Sequence, residues 1–314
     1  MNKVTIIGTG SVGSTIAYTL TVMGLASEIV MIDINYSKAF GEAMDICQGT
    51  PFCTPCAIHA GSYLDSKDSD VVIITSGVAR RPGQSRLDLA QTNIDVLKQI
   101  IPEITRFAPN ATYIIVSNPV DILTYTFCKR SGIPESRIIG SGTILDTSRL
   151  RTRLSEHFSI NQRNVHAYVL GEHGDSSFIP WSLANVSNVP VAEYHRSVIN
   201  PDTVLKPLNT AEVEQYVRKS GARVIESKGA TYYAVSVSVC HIVKCILTGI
   251  DTTMTISTML KGEYGISDVC LSLLNIVGNH GVESKILLPL NDKEIAALRH
   301  SADCLKETIR SVDI

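Results

Sequence analysis

The run Gly8-Thr9-Gly10-Ser11-Val12-Gly13 constrains this chain more than any other stretch. It follows the β-branched segment Val4–Ile7 and precedes a helical pattern over Ser14–Met23. Glycines at that spacing permit a tight turn, a close approach of backbone to a diphosphate, and close packing of helix on strand. The helix start adds N–H groups and the positive end of its dipole, which favour phosphate. Alone such a motif is weak. Here Asp33 closes a second apolar run, Ile29–Ile32, twenty residues after Gly13. A carboxylate there binds ribose hydroxyls and repels a 2′-phosphate, whereas a solvated strand-end Asp is its plain alternative. Ile34 and Asn35 follow, with no arginine to welcome that phosphate. The expected cofactor is NAD, held by Gly8, Gly10, Ser11, Val12, Gly13 and Asp33.

Further along, Val71–Ile74 and Tyr113–Val116 read as buried parallel strands, being β-branched without polar alternation, and Ile138-Ile139 as a weaker one. Between them lie helical patterns. In one, Leu87, Ala90, Ile94, Leu97 and Ile101 recur at helical spacing, and Pro102 is expected to stop it. This alternation predicts an α/β fold with a doubly wound parallel sheet. The second half differs: a strand over Val165–Val169, long helices over Thr210–Glu226 and Thr231–Leu247, and a terminal helix over Lys293–Val312. The predicted division is a nucleotide-binding domain over residues 1–141 and a mixed α+β substrate domain over 142–314. With no low-complexity linker, a packed interface near Gly142 should hold the active site in its cleft.

Composition excludes several classes. A formal net charge of -2 offers no basic stripe for nucleic acid and no polybasic membrane patch. No apolar run approaches the roughly 18 residues of a membrane span. The short Met1-Asn2-Lys3 start does not resemble a signal peptide, so the cytoplasm is the expected compartment. The eight cysteines are then expected to be reduced. Cys53-Thr54-Pro55-Cys56 has no second pair and only His59 nearby, so no metal site is expected.

Chemistry concentrates in Gly171-Glu172-His173-Gly174-Asp175-Ser176 and in Asp146-Thr147-Ser148-Arg149. A histidine between glycines sits on freely bending backbone with little bulk beside its ring, which suits a proton donor facing a small substrate. A carboxylate can orient that ring, and a guanidinium can hold a substrate carboxylate. Taken singly, each residue has a plain alternative: a loop histidine, a helix-surface ion pair, a solvated arginine at 86, a turn-forming asparagine at 118.

Together these runs, with Ser117-Asn118-Pro119-Val120-Asp121, Ser141–Asp146 and Lys228-Gly229-Ala230-Thr231, resemble the lactate/malate dehydrogenase family across nearly the whole length. Glu172 and Trp181 are similar to its bacterial-type lactate branch. The resemblance implies a Rossmann domain followed by the substrate domain. It implies reversible hydride transfer between NADH and pyruvate, with His173 as proton donor, Asp146 as its partner and Arg86 on the carbonyl oxygen. Arg149 would grip the substrate carboxylate, Asn118 would contact nicotinamide and substrate, and Thr231 would line the pocket. The stretch from Gly77 to Arg86 resembles the family's mobile loop, whose closure expels water. Arg151 and His166 match the basic pair with which bacterial relatives bind fructose 1,6-bisphosphate, and a homotetramer is implied.

Arg80 leaves the substrate open. Six residues before Arg86, it occupies the position where lactate enzymes of the family carry glutamine and malate enzymes arginine. An arginine there can pair with the second carboxylate of oxaloacetate. Glu172, Trp181, Thr231 and the Arg151/His166 pair favour lactate, so malate oxidation stands as the alternative. A non-catalytic NAD-binding sensor is the reading outside enzymology.

Overall fold

The computed structural model describes residues 2–78, 86–199 and 205–314. β1 (Lys3–Ile7), α1 (Ser11–Val22), β2 (Glu28–Ile32), α2 (Tyr36–Gln48), β3 (Ala57–Ala60) and β4 (Val71–Ile74) open a doubly wound unit. α3 (Arg86–Phe107), β5 (Thr112–Ile115), α4 (Val120–Arg130) and β6 (Ile138–Gly140) complete it. Its strands are parallel in the order β3-β2-β1-β4-β5-β6. Val71 and Ile73 enter the core on one face of the sheet and Val72 and Ile74 the core on the other. Burial on both faces is why these strands lack polar alternation.

Chain order reverses between β1 and β4, and their carboxyl ends open a crevice there. Gly8 turns out of β1 with φ +97°, and a Cβ on it would meet Ser76 N at 2.7 Å. Only glycine fits that turn.

The second half runs α5 (Ile144–Phe158), β7 (Val165–His166), β8 (Asn185–Val186), β9 (Val189–Pro190), α6 (Val191–Ser197), α7 (Thr210–Lys228) and α8 (Tyr233–Thr248). Then follow β10 (Thr252–Lys261), β11 (Ser267–Gly278), β12 (Gly281–Ile286) and α9 (Asp292–Arg310). β7, β8 and β9 form a small antiparallel sheet. The antiparallel strands β10, β11 and β12 instead extend the main sheet, because Ser257 of β10 pairs with Gly140 of β6. Among the described residues one nine-stranded sheet therefore runs through both halves. A third core, including Leu150, Leu154, Phe158, Val165 and Val217, fills the second half. α8 packs on α1, where the Cys240 thiol lies 3.7 Å from the Ile16 carbonyl.

Some expectations need correction. Pro102 lies inside α3 rather than ending it. It is on the exposed face, where water can meet the carbonyl one turn earlier that lacks an N–H partner. The strand expected over Val165–Val169 stops at His166, after which Leu170 bridges Phe178 and Gly171 bridges Ser272 of β11. Helix α1 begins at Ser11, three residues before its apolar pattern. Among the described residues no helix is long and apolar enough to cross a membrane, and all eight cysteines are free thiols.

Candidate active site

His173 is held on a loop whose backbone has almost no latitude. Gly171 donates its N–H to Ser272 O at 3.0 Å and accepts the Ser272 N–H at 2.9 Å. Its φ of +91° and the 2.7 Å between a virtual Cβ and Ser301 Oγ require glycine. The next N–H, of Glu172, donates to Ser301 Oγ at 2.7 Å. The sequence suggested a freely bending loop; the structure shows a clamped one.

Across from it, the first turn of α5 supplies Asp146, and Arg149 follows one turn later. His173 Nδ1 lies 2.6 Å from Asp146 Oδ2, while Arg149 Nη1 donates to Asp146 Oδ1 at 2.7 Å. The ion pair at i, i+3 is thus made, but inside the protein: its side chains are 17% and 10% exposed. The Asp146 carboxylate pushes His173 up to about 8, against burial, which favours the neutral ring. Burial would raise Asp146 itself, yet the charges of His173 and Arg149 outweigh it and hold the carboxyl below its ordinary range.

A cleft of about 430 Å³ brings Val12, Asn118, Arg149, His173 and Thr231 together. They come from the glycine-rich turn, the end of β5, α5, the histidine loop and the link between α7 and α8. Asn93, also on its wall, was not foreseen. This nearly buried side chain donates to Asn118 O at 2.7 Å and accepts the Val78 N–H at 2.8 Å, joining α3 to two edges of the cleft. Its one sequence signal is a polar residue on the stripe carrying Ala90, Ile94 and Leu97. Arg80 and the Arg86 side chain lie outside the described residues, although Arg86 begins α3.

The nucleotide turn fits a dinucleotide. A Cβ on Gly13 would lie 1.9 Å from Gly8 O, so packing of helix on strand demands glycine there. Gly10 differs. Its backbone is ordinary, φ −70°, and a Cβ would meet nothing within 4 Å. Among the described residues nothing calls for glycine at 10, whereas a diphosphate lying against the backbone does. Among the described residues no side chain caps α1, which leaves the N–H groups at Ser11, Val12 and Gly13 to such a group. Asp33 Oδ2 accepts from Thr9 N at 2.7 Å and Thr9 Oγ1 at 3.0 Å, and Oδ1 accepts from Asn35 N at 2.9 Å. Burial acts to raise its pKa, but these bonds prevail and keep it an anion at the strand end.

Arg151 and His166 part company. Arg151 lies over the Tyr168 ring, 5.3 Å from its centre, and donates to Ala167 O at 3.2 Å. It lines a separate cleft of about 580 Å³ with Arg163, Tyr168 and His241. His166 is exposed on β7 and is not among the residues lining that cleft. Trp181 donates its indole N–H to Glu214 at 2.7 Å, and Glu172 accepts from Ser176.

Comparison with known proteins agrees with this architecture. The family profile "lactate/malate dehydrogenase, NAD binding domain" matches residues 2–140, and "lactate/malate dehydrogenase, alpha/beta C-terminal domain" matches residues 143–313. The chain is 46% identical to an L-lactate dehydrogenase of Acetivibrio thermocellus, over 100% of this chain and 98% of that one. It is 48% identical to L-lactate dehydrogenase 1 of Clostridium acetobutylicum, over 99% and 98%. The crystal structure of a minor L-lactate dehydrogenase from Enterococcus mundtii superposes with a TM-score of 0.94 at 38% identity, covering 100% of this chain and 99% of that one. With the glycine-rich turn, the histidine–aspartate pair and both domain profiles in one chain, this protein belongs to the lactate/malate dehydrogenase family of NAD-dependent oxidoreductases.

Proposed function

We propose that this chain is an L-lactate dehydrogenase, exchanging hydride between NADH and pyruvate with His173 as proton donor and acceptor. The observation that carries this reading is one cleft in which a carboxylate-backed histidine and an arginine stand beside the nucleotide turn. Bound NADH supplies the hydride for the substrate's carbonyl carbon. The remaining tasks fall to the chain. Arg149 commits one nitrogen to Asp146, and its other donors suit a planar substrate carboxylate. Nδ1 of His173 is committed to Asp146, so Nε2 gives its proton to the carbonyl oxygen and recovers it in the reverse direction. Asp146 fixes the ring and stabilises the imidazolium. Arg86 is assigned to the carbonyl oxygen and Asp33 to the cofactor's ribose, with Asn118 and Thr231 as walls of the pocket. Residues 1–141 form the cofactor domain, which also lends Arg86 and Asn118 to the substrate, and residues 142–314 form the substrate domain.

Following NADH absorbance with a panel of 2-keto acids tests this. Turnover of pyruvate supports the proposal, and no turnover of any keto acid leaves the sensor reading in its place. Arg80 favours a second reading, malate dehydrogenase, and preference for oxaloacetate identifies it. We further assign fructose 1,6-bisphosphate to Arg151 and His166 across an interface between subunits of a homotetramer. The relatives named L-lactate dehydrogenase support the activity, and a basic cleft at Arg151 supports the effector.

A further inference from the structure

A second carboxylate stands behind the catalytic loop. Asp121, in the first turn of α4, is 2% exposed. Its Oδ2 accepts the backbone N–H of His173 at 2.8 Å, and its Oδ1 accepts the Ser257 hydroxyl at 2.6 Å. Ser257 is the residue through which β10 joins β6. One carboxylate therefore ties α4 of the first half to β10 and the histidine loop of the second.

Two hydrogen bonds alone do not explain a charge in this place. An asparagine or serine would offer an acceptor to the same N–H without the desolvation of an ion. The charge has a nearby beneficiary in the His173 ring. Among the described residues, the groups facing that ring are Asp146 and Arg149 from α5 and Asp121 from α4, and Glu172 on the loop adds its charge at Asp121. We propose that Asp121 is a positioning residue for proton transfer: it fixes the His173 backbone and, as an anion, supports the imidazolium from behind while Asp146 does so at Nδ1.

Two further facts agree. Burial pushes the Asp121 carboxyl up to about 6, with the Ser257 and His173 bonds and the histidine charge pulling it down, so near neutral pH it is charged. After Asp146 and its hydrogen bond, Asp121 is the next group favouring protonated His173.

The inference rests on His173 being the proton donor, and its test has an arm that needs no turnover. Asp121→Asn keeps an oxygen for the His173 N–H and removes the charge. NMR titration of the His173 imidazole, assigned by its loss in His173→Ala, should show its pKa about one unit lower in Asp121→Asn than in the wild type. The alkaline limb of kcat/KM for pyruvate reduction should move to lower pH by the same amount, with NADH affinity unchanged. Asp121→Ser carries the same expectation should the asparagine variant not fold. Ser257→Ala, which removes one of the bonds holding the Asp121 carboxyl down but leaves the carboxyl in place, should lower the His173 titration by less than Asp121→Asn does. An unaltered His173 titration in a folded Asp121→Asn protein that has lost only thermal stability would overturn the proposal. Failure of the wild type to turn over any keto acid would refute the proposed function, while the NMR arm still decides the role of Asp121.

Discussion

Asp146 answers two cations with one carboxylate, one oxygen to the His173 ring and the other to Arg149. The carboxylate's charge, against burial and the nearby Arg149, raises the histidine to about 8 and sets a pH dependence. Pyruvate reduction needs protonated His173, so it should hold below about pH 8 and fall above it; lactate oxidation needs the neutral ring and should rise through the same range. The same shift contributes stability, complete below the ordinary histidine pKa of 6.5 and lost as pH rises through about 8. Asp146→Asn can still accept from Nδ1 but carries no charge. Its reduction profile should fall off at lower pH than the wild type, and a coincident limb in a pH–rate series would contradict the assignment. His173→Ala should bind NADH as the wild type does, by fluorescence titration, yet lose on the order of 10²–10⁴-fold in turnover. The grouping of Asp146, Arg149 and His173 was legible because glycines flank the histidine and the two helical charges stand at i, i+3. Asp121 and Asn93 were not, since a polar residue on a helix reveals its burial only when its distant partners, Ser257, His173 and Asn118, are in place.

At the scale of elements, the glycine-rich turn separates two reasons for glycine. Gly13 is required by the protein's own packing and Gly10 by what lies outside it. Gly13→Ala should destabilise by about 1–3 kcal/mol through overpacking. Gly10→Ala should change stability by less than about 1 kcal/mol and still weaken NADH binding tenfold or more. Thermal melts beside fluorescence titrations check both, and unchanged NADH affinity in Gly10→Ala would show that no diphosphate lies there. Five of the six parallel strands were readable to within about a residue because both their faces are apolar, whereas β3, at the sheet edge with only Ile58 buried, was not. The strands β10 and β11 escaped notice for a physical reason. Thr255, Ser257 and Asn275 are buried among their apolar neighbours, satisfied by Thr147 at 2.9 Å, by Asp121, and by backbone carbonyls. Side-chain bonds of that kind leave no trace in local periodicity.

Across the whole molecule, the continuous sheet links the two halves, and the seam at Gly140 and Ser257 runs beside the catalytic loop. The doubly wound half could be anticipated; the joining of its sheet to β10 could not, because a single residue pair makes it. Exposed Phe40, Met44, Tyr233 and Val237 on α2 and α8 agree with an assembled state. If fructose 1,6-bisphosphate bridges Arg151 and His166 across subunits, it should lower the apparent KM for pyruvate or promote tetramers in sedimentation, more so at mildly acid pH. Arg151→Gln should abolish the response, and kinetics and sedimentation indifferent to millimolar effector would remove that site from the account. The substrate remains the central claim, and Arg80 is the residue that argues against it. Arg80→Gln should depress the oxaloacetate reaction more than the pyruvate reaction. The most direct test is kcat/KM of the unmodified protein for pyruvate and oxaloacetate with NADH. A lactate dehydrogenase turns over pyruvate at least as efficiently as oxaloacetate, whereas an oxaloacetate value tenfold or more above that for pyruvate would make this chain a malate dehydrogenase.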